Sequence, residues 1–140
     1  MSITQTSVES GFKYRNFSSL KKWLFFVILN EGCKIGNISI VFTSDSYLLK
    51  INQEFLGHDF YTDVISFDYC TGSVINGEIL VSTDRVKENA HKFDVKFKEE
   101  IDRVILHGIL HLIGYSDKVR QDKIRMEERE CYYLEFRSIY

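Results

Sequence analysis

One stretch of this chain constrains its fold more than any other. Val104-Ile105-Leu106-His107-Gly108-Ile109-Leu110-His111-Leu112-Ile113 is apolar almost all round. An amphipathic surface helix shows a single apolar stripe, whereas a helix greasy on every side must be buried by the rest of the fold. Two of the chain's four histidines lie in it, four positions apart. That spacing stacks both imidazoles on one helix face. Burying an unpaired polar group costs roughly 1–3 kcal/mol, so the two rings need partners, and one shared metal ion satisfies both. Gly114 can end the helix and let the chain swing Asp117 round as a third ligand. His107, His111 and Asp117 with no fourth ligand nearby form the pattern of a catalytic metal, which keeps a position open for water.

The spacing is similar to the metzincin protease pattern H-E-x-x-H-x-x-G-x-x-H, with Asp117 in place of the last histidine. In those enzymes the glutamate after the first histidine is the general base. Here that residue is Gly108, which moves no proton. The metal ligands match and the peptidase base does not.

At 140 residues, 44% of them hydrophobic, the chain is expected to fold as one globular domain spanning residues 1–140. Its longest candidate apolar segment, Trp23 to Leu29, follows Lys21-Lys22 and is too short for a membrane span or a signal peptide. A soluble cytoplasmic protein is therefore expected, with no membrane partner. Cys33, Cys70 and Cys131 are odd in number and widely separated, which fits neither a disulfide framework nor a C-x-x-C zinc pair. Residues 1–50 carry six Lys/Arg against three Asp/Glu, and residues 51–140 twelve against seventeen. Charge attractive to nucleic acid thus concentrates at Lys13, Arg15, Lys21, Lys22 and Lys34.

Strand signals fall around residues 3–14, at Asn37–Thr43, at Val64–Tyr69 and at Glu78–Ser82, the last two reading as an antiparallel pair around the Gly72 turn. Helical spacing predicts a helix capped by Ser18 or Ser19 and ended by Gly32. A second helix starts at Ser44 or Asp45 and stops at Gly57, and a third runs from Ser82 or Thr83 to about Phe93. The histidine helix should begin near Lys98, and a charged helix should run from about Gln121 to Arg137. Strands and helices do not alternate regularly. The expectation is an α+β domain: a small mixed β-sheet with helices packed on it, and the metal-ligand helix buried at its centre.

The motifs now on the page resemble those of the YbeY family of zinc-dependent ribosomal RNA maturation factors. His107 through Tyr115 follows that family's H-G-x-L-H-L-x-G-Y without a break. Ile51 through Phe67 resembles its L-N-x-x-Y-R-x-x-D-x-P-T-D-V-L-S-F motif, and Gly77–Ser82 its G-D/E-I-x-I/V-S motif. Met126 and Glu130 fall where the family has a methionine and a glutamate. The resemblance covers about residues 38 to 131 in consistent order. Three positions depart from it. Asp117 replaces a third histidine, a change a zinc site tolerates because carboxylate oxygen is also a common ligand. Leu56 replaces an arginine and can neither pair with phosphate nor stabilise developing charge. Tyr61 replaces a proline.

The resemblance implies a single-strand-specific endoribonuclease acting in 16S ribosomal RNA 3′-end maturation and ribosome quality control. It implies one Zn²⁺ held by His107, His111 and Asp117, ribosomal RNA or the small ribosomal subunit as partner, and no small-molecule cofactor. Asp63 is the candidate for proton handling or for supporting a ligand, and a loop carboxylate capping a turn is the alternative. Glu78 is a candidate partner for a histidine N–H or else a strand-edge charge. Phe60, Tyr61 and Tyr69 are candidates for stacking on bases, although strand aromatics mostly belong to cores. Met126 is expected to pack beneath the site. Two rival functions remain: a ribosome-associated assembly factor with structural zinc, and a metal-dependent peptidase or amidase.

Overall fold

The alternating Asn37–Thr43 segment is the middle of a longer strand. In a computed structural model describing all residues from Met1 to Tyr140, it belongs to Lys34–Thr43, and its inward residues Ile38, Ile40 and Phe42 are fully buried. This central strand, β2, is flanked by β1 (Ser2–Val8) and β4 (Val74–Ser82), both parallel to it. Outermost lies β3 (Val64–Asp68), antiparallel to β4 as the Gly72 turn predicts. The sheet order is β1-β2-β4-β3.

Strand periodicity of two separates the faces. Ile38, Ile40, Phe42, Ile75, Ile79 and Val81 face the large core, which they share with helices α1 (Phe17–Asn30) and α4 (Phe97–Ile113). Leu80 and Ile65 point to the opposite face and meet Leu48 of α2 (Asp45–Leu56). Helix α3 (Thr83–Lys92) packs beside α4, and α5 (Arg120–Leu134) covers α4 before a single 3₁₀ turn at Arg137–Ile139. The fold is the expected α+β domain with a mixed sheet. No helix is long and apolar enough to cross a membrane.

The greasy helix is α4. Val104, Ile105, Leu106, Ile109 and Leu110 are fully excluded from solvent, and each such side chain contributes about 1.5–3 kcal/mol of burial. Gly108 sets how close the helix comes to the sheet. A Cβ there would meet Ile79 Cγ2 at 2.7 Å and Ser66 Oγ at 3.2 Å. The Ser66 hydroxyl donates to the Gly108 carbonyl at 3.2 Å, pinning α4 to β3.

Ser44 and Ser82 cap α2 and α3 as expected, accepting from Tyr47 N and Arg85 N, and Gly57 closes α2 with φ 67°. Two expectations fail at the N-terminus. Helix α1 is preceded by Asn16 with φ 53° and has no side-chain cap, while Ser18 and Ser19 fall inside it. The Ser19 hydroxyl accepts instead from Arg137 Nη1 at 3.0 Å, a tertiary bond invisible to local pattern. The first strand ends at Val8 rather than near residue 14. The Gln5 side chain holds Tyr14 through both its N–H and its carbonyl, so the aromatic pair Phe12 and Tyr14 folds back onto Phe42.

Candidate metal centre

One helical turn separates His107 and His111, and their Nε2 atoms stand 3.0 Å apart. Gly114 ends α4 with φ 124°, a conformation that disfavours other residues. The chain then turns back and brings Asp117 Oδ2 to 3.4 Å from His107 Nε2 and 3.3 Å from His111 Nε2. The spacing argument therefore placed all three side chains together, and they form a group able to hold a metal ion.

The triangle's size discriminates further. Atoms about 2.0–2.1 Å from a tetrahedral ion lie about 3.3–3.4 Å from one another, and the three observed separations are close to this. The outer ring nitrogens are already committed. His107 Nδ1–H donates to Glu130 Oε2 at 2.5 Å, and His111 Nδ1–H donates to the Tyr115 carbonyl at 3.0 Å. Those bonds fix the tautomers and leave two Nε2 lone pairs aimed at a carboxylate oxygen. Three such atoms so close need a proton or a metal cation between them, and the donor set suits zinc.

Glu130 of α5 is itself buried and held by Arg103 Nη1 at 3.3 Å, while the same guanidinium grips Glu100 through two bonds of 2.6 and 2.9 Å. Burial pulls the His107 imidazole down, but the Glu130 carboxylate, helped by Asp117 and Asp63, outweighs it and leaves the pKa above the ordinary histidine value.

Glu130 takes the place expected of Glu78. Glu78 lies in β4 and accepts from the exposed Tyr69 hydroxyl at 3.1 Å, away from both rings. Sequence alone placed Glu130 only as a family-position match, because its contact with His107 spans 23 positions between two helices. Asp63 reaches the site's edge. Its Oδ2 accepts from Asn89 Nδ2 at 3.2 Å and lies 3.8 Å from Arg103. Burial pushes its carboxyl upward, while Arg103 and His107 pull it back without cancelling the rise.

A cleft of about 500 Å³ opens over these groups. Its walls are the end of α2 and the following loop, with Asn52, Leu56, His58 and Phe60, and the end of α4, with His107, His111, Asp117 and Lys118; β3 forms the floor. Phe60 and Tyr61 precede β3 and Tyr69 follows it, and all three are more than half exposed, so none is a core strand aromatic. Phe60 stacks on His58, and Tyr61 lies under Arg85. Met126 is fully buried in the core. None of Lys13, Arg15, Lys21, Lys22 or Lys34 lines the cleft, whose lysine is Lys118. All three cysteines are free.

Fold and site together define an α+β domain whose His/His/Asp group is able to hold a metal ion, as a metal-dependent hydrolase requires. The family model Endoribonuclease YbeY matches residues 3–137. An endoribonuclease YbeY of Flavobacterium psychrophilum is 48% identical over 87% of this chain and 87% of its own. That of Azobacteroides pseudotrichonymphae is 38% identical over 96% and 97%. A Thermotoga maritima protein solved in solution superimposes with a TM-score of 0.66 at 29% identity, covering 96% of this chain and 87% of that one. The chain belongs to the endoribonuclease YbeY family.

Proposed function

We propose that this protein is a zinc-dependent, single-strand-specific endoribonuclease that matures the 3′ end of 16S ribosomal RNA and serves ribosome quality control in the cytoplasm. The observation that carries the reading is the convergence of His107 Nε2, His111 Nε2 and Asp117 Oδ2 in an open cleft. His107, His111 and Asp117 would hold one Zn²⁺ and leave a position free for water or substrate. Bound there, zinc supplies Lewis acidity and lowers the pKa of a coordinated water towards about 7.

The chain's own groups do the rest. Glu130 and the Tyr115 carbonyl keep both imidazoles in the ligating tautomer, and Arg103 holds Glu130 against His107. Asp63, whose carboxyl is kept by burial above the usual carboxylate range, holds or moves a proton on the cleft wall. Lys118 supplies a positive charge at the cleft mouth that Leu56 cannot. Phe60 offers a face on which an unpaired base stacks, favouring single strands.

Position 108 cannot carry a peptidase base, because any side chain there would strike Ile79 on the sheet. That argues against a metzincin-type peptidase. The assembly-factor alternative predicts that the metal matters only to folding. His111→Ala separates the two: a folded variant that binds no zinc and no longer cleaves single-stranded RNA supports the nuclease. A folded, metal-free variant that still matures precursor rRNA overturns it.

A further inference from the structure

Strand β3 is one of the two outer strands of the sheet, and its register fixes which backbone groups face outward. Ser82 N–H donates to the Asp63 carbonyl at 2.9 Å, and Tyr69 N–H donates to the Asn76 carbonyl at 3.0 Å. In an antiparallel ladder, hydrogen-bonded pairs recur at every second residue. Positions 63, 65, 67 and 69 therefore face β4, and Val64, Ser66 and Asp68 turn their N–H and C=O groups away from it. No side-chain or loop partner meets these three N–H groups, and of the carbonyls only that of Val64 accepts, from Thr62 Oγ1 at 3.3 Å.

Sheet edges usually carry devices against pairing, such as proline or an inward lysine. The chain has no proline and β3 has no lysine. The bare edge is the floor of the cleft, between a wall carrying Leu56 and Phe60 and the wall carrying the metal ligands. Leu56 is 45% and Phe60 56% exposed, and exposed apolar patches beside a groove mark binding sites.

We propose that this trough binds an extended, basic polypeptide segment of a partner protein, which adds to β3 as a further strand. The edge alternates donors and acceptors with a repeat of about 6.8 Å, which another strand matches group for group. A phosphodiester chain offers anionic acceptors, which the outward carbonyls of Ser66 and Asp68 repel. Asp117 belongs to the metal ligands and Asp63 faces Arg103 at 3.8 Å, which leaves Asp68 as the cleft carboxylate open to a cationic side chain. Apolar side chains of the segment pack on Leu56 and Phe60, and cationic ones face Asp68. RNA and peptide compete for Phe60 and for the His107 end of the trough, so a bound segment restrains cleavage.

Amide hydrogen exchange on the full metal-loaded chain tests this, with a short capped peptide alternating valine and arginine as probe and oligouridylate as the comparison. Peptide should slow exchange at Val64, Ser66 and Asp68 about tenfold or more, leave Ile65 and Phe67 unchanged, and lower RNA cleavage. Asp68→Asn, which retains the acceptor for Cys70 N–H, should weaken peptide binding about threefold or more. Unchanged exchange at the three outward amides at millimolar peptide overturns the proposal, as does equal protection by oligouridylate. RNA cleavage without peptide is a separate readout, so this inference and the nuclease reading fail separately.

Discussion

The two halves of α4 carry opposite kinds of polar cluster. In the N-terminal half, Asp102 is buried and closed on all sides. It accepts from the Tyr14 hydroxyl and from Arg137 Nε at 3.1 Å, and Arg137 in turn reaches Ser19 and lies over the Trp23 ring. In the C-terminal half, His107 and His111 have satisfied outer nitrogens, but their inner nitrogens face only each other and Asp117 from the turn that follows. A closed cluster holds the fold together, and a convergent one is able to hold an ion. The difference lies in where the lone pairs point and in exposure, since Asp102 is buried whereas His107, His111 and Asp117 are partly open to the cleft.

Substitutions that separate binding from stability break this comparison most sharply. His111→Ala should abolish zinc binding and RNA cleavage while leaving the metal-free protein folded, as followed by metal analysis and circular dichroism. Asp102→Ala should do the reverse. Stripping one partner from a buried charge pair costs about 3–5 kcal/mol, so denaturant unfolding should show a large loss while the remaining folded protein binds zinc normally. If Asp102→Ala lowered zinc affinity as much as His111→Ala, the two halves would not be distinct.

A smaller effect probes the support behind the ligands. Glu130→Gln should weaken zinc binding about 10–100-fold, measured by competition with a chelator. The same variant carries a pH signature. Only neutral imidazole binds metal, and in the metal-free protein burial lowers the His107 pKa while Glu130 raises it more. Zinc affinity should thus fall as pH drops through that raised value, and Glu130→Gln should move the fall to lower pH. Linkage gives the matching sign for the metal-free fold: protonated His107 stabilises it below the unfolded-state value, and that contribution fades as pH rises through the folded one. At the small end, Glu78→Gln should change stability by no more than about 0.5 kcal/mol and leave zinc affinity alone, because Glu78 contacts Tyr69 rather than a ligand.

These contrasts mark what local pattern reveals. The convergence of His107, His111 and Asp117 was legible because all three residues belong to one helix and the turn that follows it, where spacing dictates geometry. Caps at Ser44 and Ser82 were legible for the same reason. Glu130, Arg103 and the Tyr115 carbonyl were not, since their roles depend on how α5 and the post-helix turn pack on α4. Ser19 and Tyr14 misled because tertiary bonds to Arg137 and Gln5 claimed groups that look like a cap and a strand residue. Gly108 was read correctly as no base, but its packing against Ile79 emerged only with the sheet in place.

The central claim is that His107, His111 and Asp117 together hold one zinc ion. Elemental analysis of the purified protein beside Asp117→Ala tests it most directly. The account predicts about one equivalent of zinc in the parent, as a three-ligand site requires, and a marked loss in the variant. Less than about half an equivalent in the parent, or undiminished zinc in Asp117→Ala, would contradict it.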